Sequence, residues 1–178
     1  MLTAFWEESE KKMYDTASDA ERLIVRPRDV TDNALPSGSS LAAELLLCLG
    51  DIYADSRYRE TGAHIINSSA GMVERYAAAF GHLLGAMDAY VNGAIEIALV
   101  GDRGSPDFNA LERAVAERYV PSLILAGGPG DASPSVALLA NRTKIQGKAA
   151  AYVCRGNVCD EPITDPGALR AKLAETLT

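Results

Sequence analysis

Cysteine is scarce: three residues in 178 are too few for a disulfide scaffold, and the odd number leaves at least one thiol free unless it pairs between chains. Long apolar runs are missing as well. Runs such as Leu45 to Leu49 fall far short of the roughly 20 residues a membrane-spanning helix requires. Positive charge is in deficit, because 17 Lys and Arg stand against 24 Asp and Glu, a formal charge of -7. Phosphate backbones and anionic lipid surfaces are repelled overall, so neither nucleic acid nor a membrane is expected as a partner. The opening Met1-Leu2-Thr3-Ala4-Phe5-Trp6 turns acidic at Glu7 and Glu8 and lacks the basic and apolar regions of a signal peptide. A cytoplasmic location is expected.

The composition, 48% hydrophobic and 23% charged, is that of a globular chain long enough to bury a core. The pattern changes near Asn92-Gly93. Residues 1–92 are rich in Ala and Leu at helical spacing, whereas 93–178 alternate short β-like runs with helical ones. The expected fold class is mixed α+β and α/β, with helical hairpins over 1–92 followed by a small α/β unit, βαβ-α-ββ-α, over 93–178.

A helix followed by an irregular connector is expected before Pro36. Ser39 or Ser40 then caps a helix to about Asp55 that buries Leu41, Leu45, Cys48 and Ile52. A second helix covers Arg57 to Ser68 and a third Met72 to Ala77. A fourth carries an apolar stripe of Phe80, Leu83, Leu84, Met87 and Val91 opposite small residues Ala78, Gly81, Gly85 and Ala89.

In the second part, Ala94 to Val100 alternates like a half-buried strand. Ser105-Pro106-Asp107 starts a helix whose inward side is Phe108, Leu111, Val115 and Tyr119, and Ser122 to Ala126 supplies a second strand, parallel to the first. Ser133-Pro134 restarts a short helix through Leu138 and Leu139. Residues 149–154 and 158–163 read as a hairpin, and Thr164-Asp165-Pro166 caps a closing helix with Leu169, Leu173 and Leu177 buried.

Chemistry-bearing residues fall into few groups. The hairpin Cys154-Arg155-Gly156-Asn157-Val158-Cys159 sets two cysteines opposite each other, where a reversible disulfide is geometrically allowed; two small buried hydrophobes are the other reading. Cys48 is read as core. His64 and His82 lie on different helices without ligand spacing, so no metal and no cofactor is expected. The Pro36-Ser37-Gly38-Ser39 segment lacks the pattern of a nucleophile elbow. Gly101-Asp102-Arg103-Gly104 occupies an anion-binding position, but Asp102 opposes an anion and the dinucleotide fingerprint is absent. Between Phe5 and Ser39, aromatic rings alternate with carboxylates and hydroxyls. They read either as a solvated loop or as the lining of a sugar pocket formed by Trp6, Tyr14, Asp15, Asp32, Asn33, Ser37 and Ser39.

Phe5-Trp6, Tyr14-Asp15-Thr16, Leu23-Ile24-Val25-Arg26-Pro27, Asp32-Asn33-Ala34, Pro36-Ser37-Gly38-Ser39-Ser40, Ala78-Ala79-Phe80-Gly81 and Ala151-Tyr152-Val153-Cys154 follow one another in an order that resembles the C-terminal end of the thioredoxin-domain-containing, spermatogenesis-associated protein family. The resemblance implies a longer protein. Its parts are an N-terminal thioredoxin-like domain, an (α/α)6 toroid similar to six-hairpin glycosidases and N-acylglucosamine 2-epimerases, and a small α/β tail. This chain corresponds to the last hairpins and the tail. It departs from the family at Lys11-Lys12-Met13, where Gly-Gly is usual, and at Ser39, where Asn is usual; both positions belong to the toroid's inner mouth. The Cys-x-x-Cys of the thioredoxin-like domain has no counterpart in Cys154 and Cys159.

The expected function is thus a C-terminal portion that contributes to a carbohydrate-type cleft, binds a small sugar-like ligand and is not catalytic alone. Any reaction of the complete protein would be a hydrolase or epimerase type, with Asp15 and Asp32 as its candidate acid/base pair. Two rivals stand beside it: an interaction module whose helical edge docks a second copy or a partner protein, and a thiol switch at Cys154 and Cys159.

Overall fold

The computed structural model describes residues 1–21, 24–130, 136–156 and 158–176. Among these, six helices and two small sheets form a mixed α+β fold. They fall into two compact units, Met1–Gly50 with Asp55–Val91, and Asp51–Ala54 with Asn92–Thr178.

The first unit begins with a helical turn, α1 (Leu2–Phe5), and a short antiparallel hairpin of β1 (Trp6–Glu7) and β2 (Lys12–Met13). This hairpin replaces the expected helix and connector: Trp6 pairs with Met13, and Lys11 turns the chain at φ 54°. Three helices follow, α2 (Gly38–Tyr53), α3 (Ser56–Tyr76) and α4 (Gly81–Asn92), with a 3-10 turn Ala77–Ala79 before α4. The two short helices expected over Arg57 to Ala77 are one helix of 21 residues. It runs through Ser68 and Ser69 because both hydroxyls donate to the Ile65 carbonyl, satisfying themselves within the helix.

The buried side of α2 is Ala42, Ala43, Leu46, Leu47 and Gly50, whereas Leu41 and Leu45 are 47% and 43% exposed. The spacing Leu41, Leu45, Cys48, Ile52 is a genuine apolar stripe, but α2 has two such stripes, and the one carrying small residues wins. A Cβ at Gly62 would lie 3.1 Å from the Ala43 carbonyl oxygen and one at Gly50 3.0 Å from the Arg59 Cβ. Only hydrogen at these positions lets α2 and α3 come this close. Met13, Phe80, Leu83 and Ala86 complete this core, while Leu84 and Val91 of the expected α4 stripe are exposed.

The second unit is a four-stranded sheet in the order β4-β3-β5-β6, made by β3 (Ile95–Val100), β4 (Leu123–Gly128), β5 (Ala150–Arg155) and β6 (Val158–Cys159). β3 and β4 are parallel, joined through α5 (Pro106–Ala116); β3 and β5 are antiparallel. On one face Ile95, Ile97 and Leu99 pack with Phe108, Leu111 and Val115 of α5 and with Leu169 and Leu173 of α6 (Pro166–Glu175). Each fully buried leucine contributes about 2 kcal/mol relative to exposure. Tyr119, expected inward, lies beyond the end of α5 and is 86% exposed.

β3 is buried along its whole length, not on one face as its alternation suggests. The 3-10 turn Ala137–Leu139 packs on β3 and β4, so Glu96, expected to face water, is 6% exposed. Ser133 and Pro134, Asn157 and Leu177 lie outside the described residues, as does Leu23 of the motif series.

Candidate functional site

Helix α2 starts where three chain segments meet. Ser37 caps it, its Oγ accepting from the Ser40 amide at 3.1 Å and lying 2.9 Å from the Ser40 Oγ. Ser39 and Ser40, expected as caps, instead lie buried in the first turn. Asp32 Oδ1 accepts from the Ser37 amide at 2.9 Å, and Oδ2 accepts from the His82 and Leu83 amides at 2.9 and 3.0 Å, at the start of α4. One carboxylate therefore holds the N-termini of two helices, where main-chain amides and the helix dipole favour negative charge. Burial works to raise its pKa, but the Ser37 and Leu83 amides, the Ser40 hydroxyl and the His82 amide together outweigh it and leave the pKa below the usual value. Such a group stays ionised and has its oxygens engaged.

Asp15 approaches the same helix start. Its Oδ1 would stand 2.8 Å from a Cβ at Gly38, so a side chain at the first position of α2 would have to displace that carboxylate. Its Oδ2 accepts from the Asp29 amide. Asp15 is exposed, and its Oδ1 accepts no hydrogen bond from the described residues. Ser39 Oγ is buried without a hydrogen-bond partner among the described residues. Asp15, Asp32, Ser37 and Ser39 thus converge on one helix N-terminus.

The remaining residues of the expected sugar pocket are engaged in other contacts or exposed. Tyr14 donates to Glu10 at 2.9 Å and is covered by the Arg26 guanidinium, 4.3 Å from its ring centre. Arg26 is itself fixed by the carbonyls of Ala4 and Thr16. Trp6 donates to Glu8 at 2.6 Å, meets His64 edge-on with ring centres 5.9 Å apart, and lines an open groove of about 730 Å³ with Tyr58, Arg57 and Glu60. Asn33 is exposed, its amide bonded to the Leu35 carbonyl.

In the second unit, Cys154 and Cys159 stand opposite each other in the β5–β6 register and are joined by a disulfide. Arg142 is beside them, its Nη2 3.4 Å from Cys154 Sγ and 3.0 Å from Cys159 Sγ. Contacts to the Leu138 and Ala140 carbonyls and to the Tyr152 ring hold that guanidinium in place. Tyr152 in turn donates to the Thr143 carbonyl at 2.8 Å. Cys154 is 2% exposed, and Cys159 is open to solvent. Glu96 is the cross-strand partner of Cys154 on β3.

Arg142 and Glu96 are the functional-looking residues that sequence reasoning misses. Arg142 comes from a segment without periodicity, and Glu96 looked solvent-facing because nothing in the sequence shows that both sheet faces are covered. After the loop Gly101 to Gly104, the Phe108 amide at the start of α5 already meets Ser105 Oγ and Asp107 Oδ1. Among the described residues, no group of three His, Cys, Asp or Glu side chains is arranged to hold a metal, and no helix is long and apolar enough to cross a membrane.

The geometry defines a mixed α+β chain with a serine- and carboxylate-rich helix start in one unit and a cystine beside an arginine in the other. No protein-family model matches it. The chain is similar to spermatogenesis-associated protein 20 of Homo sapiens, 29% identical over 155 residues, and to that of Rattus norvegicus, 27% identical over 155 residues, each alignment covering 85% of this chain and 20% of the relative. An uncharacterized protein of Caenorhabditis elegans is 25% identical over 144 residues, 80% of this chain and 20% of the relative. The chain spans about one fifth of the length of these curated relatives.

Proposed function

We propose that this chain corresponds to the C-terminal portion of a larger protein of the spermatogenesis-associated type, in which the helical unit forms part of the wall of an (α/α)6-like toroid and of a carbohydrate-type cleft, without turnover of its own. The observation that carries this reading is the second apolar stripe of α2. Leu41 and Leu45 stand exposed on a helix whose opposite side is already packed, and a helix apolar on both sides belongs in an interior. The relatives are about four times longer, so a longer protein has further chain that would cover it. Within the cleft, Asp15 is the carboxylate with a free oxygen for a sugar hydroxyl or a proton, Ser39 contributes a hydroxyl, and Asp32 holds the two helices that shape the wall.

The test is titration calorimetry of the full-length protein against a panel of neutral mono- and oligosaccharides, with Asp15→Asn and Ser39→Ala variants. Binding weakened about tenfold or more in the variants supports the cleft. Absence of binding in the wild type, or unchanged affinity in both variants, overturns it.

A second reading, thiol exchange at Cys154 and Cys159, is favoured by the Arg142 guanidinium at the two sulfurs. In the cytoplasmic location the sequence suggests, a disulfide is a transient state and cycles with the thiol pool.

A further inference from the structure

We propose that Cys154, Cys159, Arg142 and Glu96 together form a thiol–disulfide exchange site for small thiols, with Cys159 as the attacked and attacking sulfur, Cys154 as the buried partner, Arg142 as the group that stabilises thiolate, and Glu96 as the proton acceptor for Cys154. This rests on the thiol-exchange reading above and assigns its roles. The two sulfurs differ in access. Cys159 is exposed on the edge strand β6, so an incoming sulfur can reach it, while Cys154 is 2% exposed on β5. Both lie within hydrogen-bonding reach of one guanidinium, whose permanent positive charge favours thiolate over thiol at either sulfur. Arg142 is also pinned by main-chain carbonyls, so it remains at the site when the disulfide opens. Residues directly opposite on an antiparallel pair have Cβ atoms about 5 Å apart on the same face, so the buried Glu96 side chain leaves β3 on the same face as Cys154 leaves β5.

The exchange balances with a small thiol and its disulfide as co-reactants. A thiolate attacks Cys159 Sγ; the bond between the protein sulfurs breaks, and its electron pair leaves on Cys154, which is then protonated. A second thiolate attacks the sulfur of the bound thiol, releasing the small disulfide and the Cys159 thiolate. One cystine is reduced to two cysteines and two thiols are oxidised to one disulfide. In the reverse direction, Cys159 thiolate attacks the small disulfide and expels one thiolate. Cys154 gives its proton to Glu96, attacks Cys159 Sγ and expels the second thiolate.

The experiment uses the whole chain, dithiothreitol as reductant and glutathione disulfide as oxidant, with both cysteines counted by alkylation and mass. The pair is expected to open in dithiothreitol and to close again in glutathione disulfide with the fold retained by circular dichroism. No pair, or a pair that opens only on unfolding, overturns the thiol-exchange reading itself.

If the pair cycles, the assigned roles are read separately. In a Cys154→Ser chain, the pH profile of Cys159 alkylation is expected to have its midpoint below the ordinary thiol value of about 8.5, to keep it there in Arg142→Lys, and to move up in Arg142→Gln. The groups that set the profile besides Arg142 are Glu96 from β3, Tyr152 and Arg155 from β5, Asp160 after β6, and Lys172 and Glu175 from α6. An ordinary or raised midpoint with Arg142 intact overturns its role without any Arg142 variant having to fold, as does an unmoved midpoint in Arg142→Gln. Glu96→Gln is expected to slow closure of the Cys159 mixed disulfide onto Cys154 about tenfold or more. Unchanged closure removes Glu96 from the site.

Discussion

The carboxylate of Asp107, at the start of α5, accepts a hydrogen bond from the main-chain amide of Ala149, 42 positions later and just before β5, at 2.7 Å. That bond, with the Ser105 side chain and the Phe108 amide, lowers the Asp107 pKa from 3.8 to about 2. A carboxyl whose pKa is depressed by folding contributes stability above its unfolded value, and that contribution is lost as the pH falls through the folded value. The second unit is therefore expected to lose stability between about pH 4 and pH 2. Asp107→Asn is expected to be less stable at neutral pH and to show a flatter acid limb over that window. Urea unfolding followed by circular dichroism at several pH values checks both; parallel curves for the two chains count against the assignment.

Asp32 is expected to matter for folding before it matters for any ligand. Replacing it by alanine removes the acceptor for three amides at two helix starts, at an expected cost of about 2 kcal/mol. Because folding lowers its pKa, this contribution is present at neutral pH and is lost on acidification through the folded value, and Asp32→Ala is expected to lack that component. Asp15→Asn, by contrast, is expected to leave the unfolding midpoint nearly unchanged. Denaturant midpoints of the two variants side by side distinguish the anchor from the exposed carboxylate.

The helix glycines divide by what surrounds them. Gly85 has nothing within 4 Å of an added Cβ, so Gly85→Ala is expected to stabilise the chain by about 0.5–1 kcal/mol through helix propensity. Gly62 faces the Ala43 carbonyl and the Leu46 and Leu47 side chains at 3.1–3.3 Å, and Gly62→Val is expected to cost about 2 kcal/mol by forcing α2 and α3 apart. Thermal melts of the two variants check the contrast.

These cases also show what the sequence can carry. The Ser105-Pro106-Asp107 and Asp165-Pro166 starts were legible because capping is local chemistry, and the structure has both caps in place. The parallel pairing of β3 with β4 followed from the strand-helix-strand order, and the Cys154–Cys159 register from the length of the turn. The burial side of α2 was not legible. Hydrophobicity alone favours Leu41 and Leu45, and the deciding fact is the absence of side chains at Gly50 and Gly62, which acts only once α3 is alongside. The candidate sites divide in the same way. Asp15, Asp32, Ser37 and Ser39 could be picked out by residue type, but that Asp32 is engaged by His82 and Leu83, 50 and 51 positions away, is a tertiary fact. The same holds for Arg142, 12 and 17 positions from the two cysteines it touches.

The long reach of Asp32 also bears on the order of events in folding. Its bond to Ser37 spans five residues and can form with the first turn of α2, but its bonds to His82 and Leu83 wait until α4 has docked. Contacts that close such a large loop come after the nucleus when local helix pairs form first. The anchor then acts as a latch more than as a seed: its loss shortens the lifetime of the folded helical unit by speeding unfolding, and leaves the rate of folding almost untouched.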